Sequence, residues 1–145
     1  MIPPDAIRVA TAVRRALELE FPRLKRMSNR CMLASYALSF LLRGIHIKSC
    51  IIEGVWALPR ARRARLHTWV LLGEPEIYEE RLGVIVDLTL TQFIPKASPV
   101  SILSWPAVCY EPVRHLPEDI AGIHVRMVYS PRTVERVIKR AVALL

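Results

Sequence analysis

Cys31, His67 and Asp87 stand in the order nucleophile, base and orienter, each next to a local signal that would put it in place. Cys31 follows Ser28-Asn29-Arg30 and opens an apolar run. With Ser28 or Asn29 as cap, it falls in the first turn of a helix, among backbone N–H groups that lack partners. His67 begins the strand-like run Leu66–Leu72, and Asp87 lies near the end of the next, Val84–Leu88. An antiparallel hairpin turning near residue 77 would set His67 opposite Asp87, and directly opposed residues have Cβ atoms roughly 4.5–5.5 Å apart. The chemistry implied is acyl transfer through a thiolate. A free thiol, with a pKa near 8.5, is only a few per cent ionised at neutral pH. A helix dipole contributes about 0.3–1 kcal/mol, less than the roughly 1.4 kcal/mol of one pKa unit. The larger activating charge must therefore be an imidazolium beside the sulfur, and His67 is the candidate. Asp87 would fix its tautomer and stabilise its cation.

The elements that must carry these residues are legible in outline. Ile7, Ala10, Val13 and Leu17 recur at helical spacing after Asp5, a candidate N-cap, and Phe21-Pro22 ends that helix. Residues 23–30 read as basic and irregular. A second helix is expected from about Arg30 to Arg43, with Gly44 as its left-handed terminal residue. Ile45–Trp56 reads as a strand with a bulge at Gly54. A basic loop, Pro59–Arg65, leads into the hairpin, whose connector is acidic (Glu74, Glu76, Glu79, Glu80). Prolines at 95, 99, 106, 112 and 117 make 94–120 a surface-wandering stretch with at most short strands. Ile123–Tyr129 reads as a strand. Ser130-Pro131 starts a final helix with Val134, Val137, Ile138 and Ala141 on its apolar face. Consecutive strands flanked by helices predict an α+β fold, an antiparallel sheet with packed helices.

The 145 residues, 52% hydrophobic and 23% charged, suit one globular domain spanning 1–145. The apolar run Cys31–Leu42 is too short to cross a bilayer, and Met1-Ile2-Pro3-Pro4-Asp5 lacks the pattern of a signal peptide. A cytoplasmic location is expected. Cysteines at 31, 50 and 109 form neither a disulfide framework nor a zinc ribbon. His46 and Cys50 would share a strand face but make no close ligand pair, so no metal and no cofactor are expected. A net charge of +8, from 21 basic against 13 acidic residues, favours anionic partners. The arginines gather in 8–30 (Arg8, Arg14, Arg15, Arg23, Arg26, Arg30) and in 60–65.

Asn29-Arg30-Cys31 opening an apolar helix, Gly44 closing it, His67-Thr68-Trp69-Val70, and Val86-Asp87-Leu88-Thr89 followed by Gln92-Phe93 resemble the core of the transglutaminase-like branch of papain-type cysteine enzymes. The match covers roughly residues 28–93. The resemblance implies a catalytic triad of Cys31, His67 and Asp87, with the cysteine at the N-terminus of a helix packed on an antiparallel sheet. That superfamily holds peptidases, amidases, deamidases and acyl transferases. The leader peptidases of lasso-peptide maturation are also similar in size and in the cysteine-helix and histidine-strand pattern, with a less typical Asp87–Phe93 stretch.

The expected function is that of a cysteine hydrolase or acyl transferase working on a peptide or protein amide, with the 60–65 loop drawing in acidic substrate segments. The Cys31 amide is a natural oxyanion donor. Asn29 and Gln92 read first as a helix cap and a turn residue, and second as further donors. Trp69 shares a strand face with His67 and either shields it or fills the core. Cys50 and Cys109 read as packing residues, and His46, His115 and His124 have no evident partner. Two other readings use the same residues: a basic module gripping nucleic acid, and an inactive relative that binds a peptide. Against the nucleic-acid reading, the chain has no recognisable nucleic-acid motif.

Overall fold

The computed structural model describes residues 2–22, 30–60, 63–74 and 83–145. Helix α1 (Pro4–Glu20) buries Ala6, Val9, Ala10, Val13, Ala16 and Leu17, the three-and-four spacing of one helical face. Its cap position is Pro3 and makes no side-chain bond. Asp5, expected as the cap, instead sits in the first turn, where its charge meets the positive end of the helix.

Helix α2 (Cys31–Gly44) buries Leu33, Ala34, Ala37, Leu38 and Leu42. Arg30 occupies its cap position without a side-chain cap bond, and the expected caps Ser28 and Asn29 lie outside the described residues. The helix ends differently from expectation. Gly44 is its last helical residue, and the left-handed position falls two residues later at His46, with φ 60°. The amide of Ile47 donates to Leu42 O at 2.9 Å and that of His46 to Arg43 O at 3.0 Å, the paired bonds of a Schellman closure. His46 therefore belongs to the helix end, not to the strand face on which it was expected beside Cys50.

Five strands follow: β1 (Ser49–Trp56), β2 (Arg65–Leu72), β3 (Val84–Asp87), β4 (Ser101–Ser104) and β5 (Tyr110–Leu116). They form one antiparallel sheet in the order β4-β3-β2-β1-β5. The bulge expected at Gly54 of β1 lies instead on the partner strand β5, opposite Glu53 and Gly54. Glu53 pairs with Arg114 but Gly54 with Pro112, so the extra residue is Val113 on β5. Gly54 is required there by proximity: a Cβ would lie 2.3 Å from the Glu111 carbonyl and 2.6 Å from the Trp69 ring.

The proline-rich stretch is more ordered than composition suggested, since β5 is a full edge strand. Its Pro112 sits at the bulge, where a missing N–H costs the ladder little. Ile123–Tyr129 is not a strand. It belongs to helix α3 (Glu118–Tyr129), which starts after Pro117, carries Glu118 and Asp119 in its first turn, and buries Ala121, Gly122 and Val125. Helical spacing of those small residues outweighed the β-branched content. Helix α4 (Pro131–Ala143) begins as expected, with the Ser130 hydroxyl accepting from the Thr133 amide, and buries Val134, Val137 and Ala141.

Side-chain alternation splits the sheet into two apolar layers. Ile51, Val70 and Val86 face the helices. Ile52, Trp69, Leu71 and Ile85 face the opposite side, where Leu90, Trp105 and Tyr110 cover them. No helix among the described residues is long and apolar enough to cross a membrane.

Candidate active site

The β2–β3 ladder pairs Val70 with Val86 and Leu72 with Val84. Continuing that register puts Thr89 opposite His67 and Asp87 opposite Trp69, so the expected direct opposition is off by two residues. The slip preserves the face because side chains alternate with period two. His67 and Asp87 become diagonal neighbours, within reach of a long side chain. The turn joining the two strands lies outside the described residues.

His67 Nε2 and Asp87 Oδ2 are 2.7 Å apart, and both residues are 1% exposed. The carboxylate is saturated. Oδ1 accepts from the Thr89 amide at 2.9 Å and the Thr89 hydroxyl at 3.3 Å, and Oδ2 accepts additionally from the Tyr110 hydroxyl at 2.7 Å. Four donors fill about four lone-pair sites, so a buried charge is retained without an orphaned oxygen.

With Nε2 committed to Asp87, the Nδ1 edge of the ring remains for the thiol. Cys31 is the first residue of α2 and is half-buried. Strand β2 pairs with β1 over its whole length but with β3 only from Val70 onward, leaving its other edge open near residue 68. There the Thr68 backbone and hydroxyl meet Cys31, the first residue of α2. Burial pushes the Cys31 thiol up, but a hydrogen bond with His67, the imidazolium charge, and backbone and hydroxyl bonds from Thr68 more than reverse this and hold it below its ordinary value. For His67, burial pulls down while the Asp87 charge, the bond to Asp87 and the interaction with Cys31 push up, for a net rise to about 9. Burial also opposes ionisation of Asp87, and the charge and hydrogen bond of His67, with Thr89 and Tyr110, hold its carboxyl below the usual range. Pairing thus shifts each of the three toward its charged form, thiolate, imidazolium and carboxylate in a row.

No family model, curated protein or solved structure matches this chain.

Around the three groups the walls are aromatic and cationic. Phe93 meets the His67 ring edge-on at 4.9 Å and stacks on Trp56 at 4.5 Å. Trp69 lies 5.9 Å from the imidazole and packs edge-to-face on Tyr110 at 5.1 Å, so it both shields the pair and fills the outer layer. Arg30, next to Cys31, lies over the Phe21 ring at 4.2 Å and the Tyr129 ring at 5.2 Å. Arg65 lies 5.8 Å from the Phe93 ring.

Gln92, on a single 3-10 turn at Leu90–Gln92, brings its side-chain amide to 3.2 Å from His67 Nδ1. It is thus both a turn residue and a neighbour of the imidazole. Asn29 lies outside the described residues. Cys50 packs in the outer layer, its thiol 3.7 Å from the Leu71 carbonyl. His115 lies on β5 and His124 is exposed on α3. Arg14, counted above among basic residues for anionic partners, is buried. It donates to the Leu88 carbonyl at 2.7 Å, to the Thr91 hydroxyl at 3.0 Å and to Glu18 at 2.9 Å, tying α1 to the segment behind Asp87.

Two members escaped sequence reasoning. Thr68 was read only as part of a strand, and Tyr110 fell in the stretch that prolines marked as irregular. No sequence signal marks Tyr110: only the two ends of β5, Tyr110 and Leu116, are buried, and the bulge between them puts them in opposite layers.

Proposed function

We propose that this chain is a cysteine-dependent hydrolase or acyl transferase acting on an amide of a peptide or protein, built on a transglutaminase-like core. The carrying observation is the row of Cys31, His67 and Asp87, with His67 Nε2 2.7 Å from Asp87 Oδ2 and Cys31 hydrogen-bonded to the same imidazole. The Cys31 thiolate attacks the carbonyl carbon and forms a C–S bond. As the tetrahedral adduct collapses, the C–N bond breaks and His67 Nδ1 gives its proton to the departing amine. Water or an amine then attacks the thioester, gives a proton back to His67 and releases Cys31. Asp87 holds the ring throughout and does not need to take the proton. The Cys31 backbone N–H, at the start of α2, and the Gln92 side-chain amide are the nearby donors for the oxyanion.

Arg30 and Arg65 flank the row, which favours a substrate segment carrying carboxylates. The three free thiols suit a reducing compartment, and a cytoplasmic setting belongs to the same proposal.

The test is thiol reactivity. At pH 6–7, iodoacetamide is expected to label Cys31 at least tenfold faster than Cys50 or Cys109, with the site assigned by peptide mass spectrometry. An electrophilic peptide probe should form an adduct that Cys31→Ala abolishes. Equal labelling of the three cysteines would leave a peptide-binding relative without chemistry as the better reading.

A further inference from the structure

We propose that Tyr110 is a positioning residue of this site: its hydroxyl holds the Asp87 carboxylate against His67 and so sets how far into acid the charged row survives. The inference rests on the proposed function and concerns its regulation by pH. Tyr110 comes from β5, the far edge of the sheet, and its ring is 4% exposed. Its hydroxyl lies 2.7 Å from Oδ2, the same oxygen that faces His67 Nε2 at 2.7 Å.

Two donors sharing one oxygen fix where that oxygen sits, because each restrains the carboxylate against rotation away from the other. Trp69 packs edge-to-face on the Tyr110 ring and shields the imidazole, so the phenol has little freedom to leave. Burial first, then the Asp87 charge and the bond to it, push the Tyr110 phenol well above its usual range. It stays protonated, a donor at every working pH. The Trp56 indole N–H acts on the phenol in the opposite sense and is outweighed.

Among the described residues, the groups facing this pair come from four places. His67 comes from β2, Thr89 from the segment after β3, Cys109 from beside Tyr110, and Cys31 lies across the imidazole. Arg65 lies 5.8 Å from the Phe93 ring. Among them Tyr110 is the one neutral side chain on Oδ2, so its removal changes the bonding of the carboxylate without changing the charge count.

Loss of a hydrogen bond to a charged acceptor should raise the Asp87 pKa. Protonation of Asp87 then begins at higher pH, and the neutral carboxyl no longer holds the His67 cation in line with Cys31, so the thiolate loses its oriented partner. The acid limb of Cys31 alkylation should therefore move up by about one pH unit in Tyr110→Phe. That variant keeps the ring and its packing.

The experiment follows the iodoacetamide rate at Cys31 against pH, by peptide mass spectrometry, in the wild type, in Tyr110→Phe, and in a protein with 3-fluorotyrosine placed at position 110. Fluorination makes the phenol a stronger donor, so its limb should shift down while that of Tyr110→Phe shifts up. Opposite shifts support the inference. A wild-type limb well below that of an ordinary thiol, with both variants superimposed on it, overturns the role of Tyr110 and leaves the proposed chemistry standing. A rate lowered equally at all pH values in Tyr110→Phe, with fluorotyrosine unchanged, marks a packing role only and also overturns it. An ordinary thiol profile in the wild type removes both the chemistry and the inference.

Discussion

At the scale of residues, the site is a contest between burial and pairing. Desolvation alone would keep Cys31 and Asp87 neutral and His67 uncharged, and for each of the three it is the largest single influence. Pairing reverses all three, because each charge supplies the counter-charge or donors its neighbour lost on leaving water. A consequence for stability follows and can be isolated in Cys31→Ala, where only the imidazole–carboxylate pair titrates. In the intact protein the folded pKa of His67 is raised from 6.5 to about 9, by Asp87 first and Cys31 second. Cys31→Ala removes the smaller Cys31 share and leaves the pKa raised by Asp87. Its stabilisation is fully present below pH 6.5 and is lost as pH rises through the folded value. The unfolding free energy of Cys31→Ala from urea titrations should therefore fall between pH 6 and pH 9.5, by on the order of 1–3 kcal/mol, relative to Cys31→Ala/His67→Gln. Parallel curves for the two proteins would mean that His67 is not held as a cation. Asp87 works in the other direction: its lowered pKa contributes stability at neutral pH that is lost as pH falls through its folded value.

At the scale of elements, helix α2 presents Cys31 at one end and closes on a residue poorly suited to its conformation at the other. Gly44 drew attention in the sequence as a terminator, yet His46 takes the left-handed position with φ 60°. The reason lies in the chain that follows. The bonds from His46 and Ile47 back to Arg43 and Leu42 aim the backbone into β1, and closing at Gly44 would turn the chain two residues early. A left-handed non-glycine residue costs roughly 1–2 kcal/mol, partly offset by the greater freedom of glycine in the unfolded chain. His46→Gly should accordingly stabilise the fold by about 0.5–1 kcal/mol in urea or thermal melts, with no change in Cys31 alkylation at the opposite end of the helix. The edge strand β5 makes the complementary point. Proline content argued against a strand there, but a bulge at Val113 lets Pro112 sit in the edge and carries Tyr110 to Asp87.

At the scale of the whole molecule, helices lie on one face of the sheet and His67 and Asp87 on the other, so something must couple the two layers. Cys31 does so at the open edge of β2. Arg14 does so from α1, through the Leu88 carbonyl and the Thr91 hydroxyl that bracket the segment after Asp87. Arg14→Met keeps the aliphatic stem but leaves a buried carbonyl without its charged donor. A loss of about 1.5–3 kcal/mol in urea denaturation is expected, together with faster hydrogen exchange at the Thr89 amide, which donates to Asp87. Exchange unchanged at Thr89 would show that the helical layer does not restrain the site. The net charge of +8 is thus not all available to partners, since Arg14 is spent internally and Arg136 and Arg140 pair with Glu20.

Local chemistry settled much of this protein before folding was considered. The period of its apolar residues defines α1, α2 and α4. Ser130-Pro131 starts the last helix, and the order of elements predicts an antiparallel sheet with helices packed on it. It also singled out Cys31, His67 and Asp87, because each lies beside a helix start or a strand signal. Tertiary structure alone decided the register that makes His67 and Asp87 diagonal, the helical state of Glu118–Tyr129, and the arrival of Thr68, Gln92 and Tyr110 at the row. Those depend on which edge of a strand is left unpaired and where a bulge shifts its neighbour, and such facts belong to pairs of segments far apart along the chain.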